Sequence, residues 1–183
     1  MATVMTREEL IAALTAQRER LEAWFAARTP QELERPLTKS EIADDVMWRA
    51  KDHLAHALGV ERYLRGVVKR TLAGDEDPAG FFTRIGTLER EPLMRAINES
   101  NEVAHAKYFG VEAAALLAQL RETRQETLAL LASLSEEQLD RTSPHSPFGR
   151  GAIRDLFRQM ARHDGQHVDW LTAALAGQEE QAH

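Results

Sequence analysis

Apolar residues recur every three or four positions along most of the chain, the spacing of a helix that buries one face. Leu10, Leu14 and Leu21, with Ile11, Trp24 and Phe25, follow Thr6 and Glu9, whose spacing is that of a capping box. They predict a first helix from about Arg7 to Arg28, ended by Pro30. After a loop containing Pro36, a second long helix is predicted from Arg49 to about Leu72. Its apolar arc is broad, with His56, Val60, Tyr63 and Val67 on one side and Leu54, Leu58, Leu64 and Val68 on the other. An arc of that width suits a helix with several neighbours.

GDEDPAG, from Gly74 to Gly80, is a turn-forming break. The stretch Phe81 to Pro92 has no clean period and reads as loop with at most one helical turn. A shorter helix is predicted from Leu93 to about Lys107. Another long one runs from Glu112 to Leu134, with Leu116, Leu117, Leu120, Leu128 and Leu131 inward. Ser135 with Gln138 caps one more turn, Thr142 to Arg150 is a connector, and the last helix spans about Gly151 to Ala176. No alternating strand pattern is visible. The expectation is an all-α fold: a four-helix bundle with one or two short accessory helices, forming a single domain over 1–183 with residues 177–183 as a frayed tail.

The last helix carries the main chemical signal. Its stripe runs Ile153, Leu156, Met160, His163, His167, Trp170, Ala174. Two imidazoles one turn apart thus stand where a bundle core would favour leucine. Burying an unpaired imidazole costs about 1–3 kcal/mol, so the pair either satisfies its polarity within the core or shares a cation. An open metal site needs about three protein ligands. The second helix offers His53 and His56, and the spacing alone does not choose between them. Asp52 and Asp164 are positioned to orient ring nitrogens, although Asp52 also fits a solvated helix surface. Glu61 falls among leucines and is the candidate catalytic carboxylate, with a fourth-ligand role or an ion pair with arginine as alternatives. Asn98 and Asn101 are candidates to line the cavity mouth and contact a cofactor. His105, His145 and His183 read as surface or connector residues.

Composition narrows the chemistry. The chain has no Cys, which excludes disulfides, cysteine-ligated zinc and a protein thiol nucleophile; any thiol must come from a small molecule. A net charge of −6 argues against a general nucleic-acid binder. No apolar leader precedes the first helix and no stretch is apolar enough for a membrane span, so a cytoplasmic protein without membrane or nucleic-acid partners is expected.

W-x-x-K-D-x-L-A-H-x-x-x-x-E (Trp48, Lys51, Asp52, Leu54, Ala55, His56, Glu61), followed by H-D-x-x-H (His163, Asp164, His167), resembles the DinB/YfiT-like superfamily. The resemblance implies a four-helix bundle, often a homodimer, holding a divalent metal on His56, His163 and His167, with His53 as a further candidate. Zinc is the simplest fit, with nickel, iron or manganese as alternatives. Characterised members include transferases that use bacillithiol or mycothiol, and a maleylpyruvate isomerase; a cyclopropane hydrolase protecting against a genotoxin is more distant. The expected function is therefore a metal-dependent thiol S-transferase acting on a small electrophile. Its rivals are a metal-dependent hydrolase, a non-catalytic metal-holding stress protein, and a bundle whose histidines hold no metal.

Overall fold

The computed structural model describes residues 4–40, 46–108, 110–148 and 151–177. The elements in order are α1 (Arg7–Ala26), α2 (Pro30–Leu33), β1 (Pro36–Lys39), β2 (Met47–Arg49), α3 (Ala50–Leu72), α4 (Phe81–Ile85), α5 (Arg90–Lys107), α6 (Ala113–Ser133), α7 (Glu136–Leu139) and α8 (Ile153–Leu175). The fold is all-α in character, with α1, α3, α6 and α8 forming the bundle. The expected frayed tail and His183 lie outside the described residues, apart from Gly177.

The caps explain where helices begin. Thr6 Oγ1 accepts from the Glu9 amide at 3.2 Å, and Glu9 Oε2 accepts from the Thr6 amide at 2.7 Å. The same reciprocal pair recurs at Ser135 and Gln138, and at Thr29 and Glu32 ahead of α2. Each satisfies two amides that a helix start otherwise leaves unbonded.

Two apolar clusters fill the bundle. One gathers Leu10, Leu14, Leu64, Val67, Val68, Leu131, Ile153, Leu156, Phe157 and Met160. The other gathers Leu21, Trp24, Phe25, Leu54, Leu58, Leu116, Leu120, Val168 and Leu171. The order in which each helix visits the clusters gives its direction: α1 and α8 run one way, α3 and α6 the other. Consecutive α3 and α6 are therefore parallel neighbours and need a crossover, which the segment carrying α4 and α5 supplies. Helix α5 packs on α3 from outside the four, with Gly59 meeting Ala104 so closely that a Cβ there would stand 3.2 Å from the alanine methyl. On the other side α8 approaches α1 through Gly165, where a Cβ would fall 2.5 Å from Gln17 Oε1.

One expectation is overturned here. The segment read as plain loop holds a small antiparallel sheet, with Thr38 opposite Trp48, Lys39 opposite Met47, and an irregularity between Pro36 and Thr38. Strands of four and three residues are too short to display an alternating pattern. Within the unperiodic stretch after Gly80, α4 forms a single turn and a half, tied to the later connector where the His145 ring stacks on Phe82 at 3.9 Å.

Candidate metal centre

Between the two apolar clusters lies a layer of charge. Each bundle helix contributes one buried residue: Arg18 from α1, Glu61 from α3, Arg124 from α6 and Asp164 from α8. Arg18 Nη2 donates to Glu61 Oε2 at 2.5 Å, and its Nε to Asp164 Oδ2 at 2.9 Å. Arg124 Nε donates to Glu61 Oε1 and its Nη2 to Asp164 Oδ2, both at 2.9 Å. The Nη1 groups of Arg18 and Arg124 donate to the carbonyls of Leu120 and Leu14 respectively. Two positive and two negative groups cancel, as buried charge requires. Burial alone would raise the Glu61 carboxyl, but Arg124 and Arg18 outweigh it and hold it below its ordinary value. Both Glu61 oxygens are thus occupied by guanidinium groups.

The histidines sit beside this layer, where α3 faces α8. His56 Nε2 lies 2.9 Å from His163 Nε2, and His163 Nε2 lies 3.2 Å from His167 Nε2. The three donor atoms fall within 4.8 Å of one another. His56 and His167 are buried and His163 is partly exposed. Burial, with the neighbouring imidazoles, pushes all three below the usual histidine range, His163 to about 3. They are therefore neutral near pH 7, the form that offers a lone pair. Three imidazoles around a tetrahedral cation at 2.0–2.1 Å would place their nitrogens about 3.3 Å apart. The His56–His163 and His163–His167 spacings, 2.9 and 3.2 Å, are close to that, so the residues present fit a divalent ion.

His53, the further candidate, is placed differently. Its Nδ1 lies 2.8 Å from His167 Nδ1, and its Nε2 lies 2.8 Å from Thr38 Oγ1. Both ring nitrogens have partners, and neither partner is one of the converging Nε2 atoms. Trp48, brought over the site by β2, packs edge-on against His53 at 5.4 Å and tilted against His56 at 5.3 Å. Asn98 and Asn101 are half-buried on α5.

Two sequence expectations are corrected by the surroundings of Trp48. His105 is buried rather than a surface residue: its ring stacks on Trp48 at 5.0 Å and its Nε2 stands 3.2 Å from Asp52 Oδ1. Asp52 is likewise buried rather than solvated, and it bonds the Arg49 amide at 2.7 Å and the Arg49 guanidinium. Burial would raise its carboxyl, but hydrogen bonds from His105 and Arg49 hold it far below the usual range. The burial of neither residue has a local signal, because the Trp48 platform that covers them comes from the short hairpin. Arg18, Arg124 and Asp164 did leave one. Each is a charged residue on the apolar stripe of its helix, level with the others.

Solved structures to which the chain is similar include two of closely related shape. One is the crystal structure of the colibactin self-resistance protein ClbS in complex with a dsDNA, matched with a TM-score of 0.72 at 18% identity, covering 96% of this chain and 98% of that one. The other is a protein from Streptococcus pneumoniae, with a TM-score of 0.63 at 18% identity, covering 94% and 91%. At that identity the likeness is one of fold. The first corrects the expectation that nucleic acid is excluded as a partner, since a bundle of this architecture is found on duplex DNA. Net charge misleads because it sums the whole surface, whereas phosphate contact depends on local arginine and lysine clusters. No helix among the described residues is long and apolar enough to cross a membrane. No curated protein matches the sequence. The family model for the DinB superfamily matches residues 40–171, a span that contains the hairpin's second strand and all four clustered histidines, and the chain belongs to that superfamily.

Proposed function

We propose that the chain is a metal-dependent enzyme that joins a low-molecular-weight thiol of the bacillithiol or mycothiol kind to a small electrophile. The observation that carries this reading is the convergence of three neutral Nε2 atoms, from His56, His163 and His167, where α3 faces α8. These three residues would hold a divalent cation, which would supply a nucleophile near neutral pH by making a thiol or water more acidic. Zinc suits three imidazoles, and nickel, iron or manganese are accommodated by the same donors.

The chain's own residues do the rest. His163 is the partly exposed member of the three and marks the side from which substrate arrives. Trp48 walls the opposite side and keeps water from His53 and His56. Glu61 is assigned to holding the bundle together rather than to proton transfer, because Arg18 and Arg124 occupy both its oxygens. With no Cys in the chain, the sulfur comes from the co-substrate. It forms a carbon–sulfur bond as the leaving group departs with its electron pair and the thiol proton passes to solvent.

The test is elemental analysis of the purified protein followed by product analysis with bacillithiol, mycothiol and glutathione. About one divalent ion per chain and a thioether adduct are expected. A hydrolysed product that forms equally without thiol would replace the transferase with a hydrolase. Bound metal with no turnover would leave a metal-holding protein.

A second reading has a specific observation behind it. Arg20, Arg158 and Arg162 line a groove between α1 and α8, together with Gln17 and Gly165, and a protein of this fold is recorded on duplex DNA. Arginines spaced i and i+4 on α8 are suited to phosphate contacts. Fluorescence anisotropy with a labelled duplex is expected to show binding that weakens steeply with salt. Arg158→Glu with Arg162→Glu should abolish it, and unchanged binding by that variant would remove the groove from consideration.

A further inference from the structure

We infer that Thr38 and His53 form a hydrogen-bonded relay that sets which nitrogen of His167 carries its proton, and so keeps the Nε2 lone pair available to a cation. The inference rests on the assignment of a cation to His56, His163 and His167, and adds two positioning residues outside that set. Thr38 Oγ1, His53 Nε2, His53 Nδ1 and His167 Nδ1 lie in series, with both contacts at 2.8 Å. All three side chains are buried.

A neutral imidazole has one N–H and one acceptor nitrogen. The 2.8 Å contact between two Nδ1 atoms can therefore hold one proton only, and its owner decides the state of the whole series. In one polarity His167 Nδ1–H donates to His53 Nδ1, His53 Nε2–H donates to Thr38 Oγ1, and His167 Nε2 is bare. In the other, the Thr38 hydroxyl donates to His53 Nε2, His53 Nδ1–H donates to His167 Nδ1, and His167 carries its proton on Nε2. That proton would point at His163 Nε2, 3.2 Å away, and close the donor triad. Only the first polarity leaves three lone pairs converging.

Thr38 makes the first polarity possible because its oxygen accepts the His53 Nε2–H within a buried site. With valine there, the first polarity leaves a buried N–H unbonded, a heavier penalty than the bare nitrogen left by the second. The residue thus acts on the metal site through His53, without belonging to it. Ligand histidines are commonly oriented through their second nitrogen by an acceptor, and loss of that acceptor weakens metal affinity roughly ten- to a hundred-fold. Here the acceptor is another histidine, itself fixed by a hydroxyl on β1, which packs against α8.

The experiment measures Zn2+ affinity by competition with a chromophoric chelator, for the natural chain, Thr38→Val, Thr38→Ser, His53→Asn and the Thr38→Val/His53→Asn pair, with urea unfolding of each apo form. Thr38→Val should bind Zn2+ roughly ten- to a hundred-fold more weakly, and Thr38→Ser should match the natural chain. His53→Asn keeps an acceptor for His167 Nδ1–H that no longer depends on Thr38, so adding Thr38→Val to it should change nothing. Natural Zn2+ affinity in Thr38→Val, or a loss confined to apo stability, would overturn the relay. If the natural chain binds Zn2+ no better than His163→Ala, the cation assignment has failed. The relay is then judged on 15N imidazole spectra of the apo protein: protons on His167 Nδ1 and His53 Nε2 uphold it, and the opposite pair of tautomers overturns it.

Discussion

Arg124→Met will lower the stability of the bundle by about 3–5 kcal/mol, the cost of leaving a buried charge without its partner. For a chain of this size that corresponds to a fall in Tm of roughly 6–20 °C. The substitution conserves bulk, so a cavity does not account for the loss. What goes wrong is electrostatic: Glu61 and Asp164 would share Arg18 alone, with one negative charge in excess between two apolar clusters. Replacing all four members together, with Arg18 and Arg124 as Met and Glu61 and Asp164 as Leu, removes the excess and should leave the fold near its natural stability or above it. A quadruple variant less stable than Arg124→Met would contradict this account. The natural chain and the quadruple variant should also part company in acid. The Glu61 carboxyl is held below its ordinary value of 4.5, so its contribution is fully present above that pH and is lost as pH falls through the lower folded-state value. Urea midpoints of the natural chain should therefore drop in strong acid more than those of the quadruple variant.

The charge layer also bears on what the sequence discloses. Long helices are legible because a period of three to four survives over twenty residues, and α3 and α8 run almost to the ends their periods predict. Glu61 stands out among Leu54, Leu58 and Leu64, which makes an ion pair with an arginine one of the natural readings of it. The matching positions are equally conspicuous in hindsight: Arg18 follows Leu10 and Leu14, and Arg124 follows Leu116 and Leu120. Pairing them takes knowledge of how helices far apart in the chain lie level with one another, which no local period contains. The hairpin is harder still. Thr38 and Trp48 matter because they face each other and then His53, a coincidence of three segments, two of which are only a few residues long. Helix α5 meets the bundle along a single side, so the burial of His105 depends on Trp48 rather than on any stripe of its own. The spacing in α3 likewise leaves His53 and His56 as equal candidates, and their rings have different neighbours: His56 Nε2 lies against His163, and His53 against His167 Nδ1 and Thr38.

His163→Ala should abolish stoichiometric metal, and the response of stability to chelator separates a metal site from a cluster of imidazoles that merely satisfy each other. If a cation joins the three rings, it binds only the folded chain and stabilises it in proportion to its occupancy, by about 2.7 kcal/mol at a free concentration a hundred times Kd. A strong chelator should then lower the Tm of the natural protein and leave that of His163→Ala unchanged. If instead the rings only hydrogen-bond to one another, the substitution strands His56 Nε2 and His167 Nε2 in a buried setting. That costs about 1–3 kcal/mol whatever the metal content. The natural protein would then melt at one temperature with or without chelator, and His163→Ala lower in both. Elemental analysis of the same samples closes the comparison, since a variant that keeps its full metal cannot have lost a ligand.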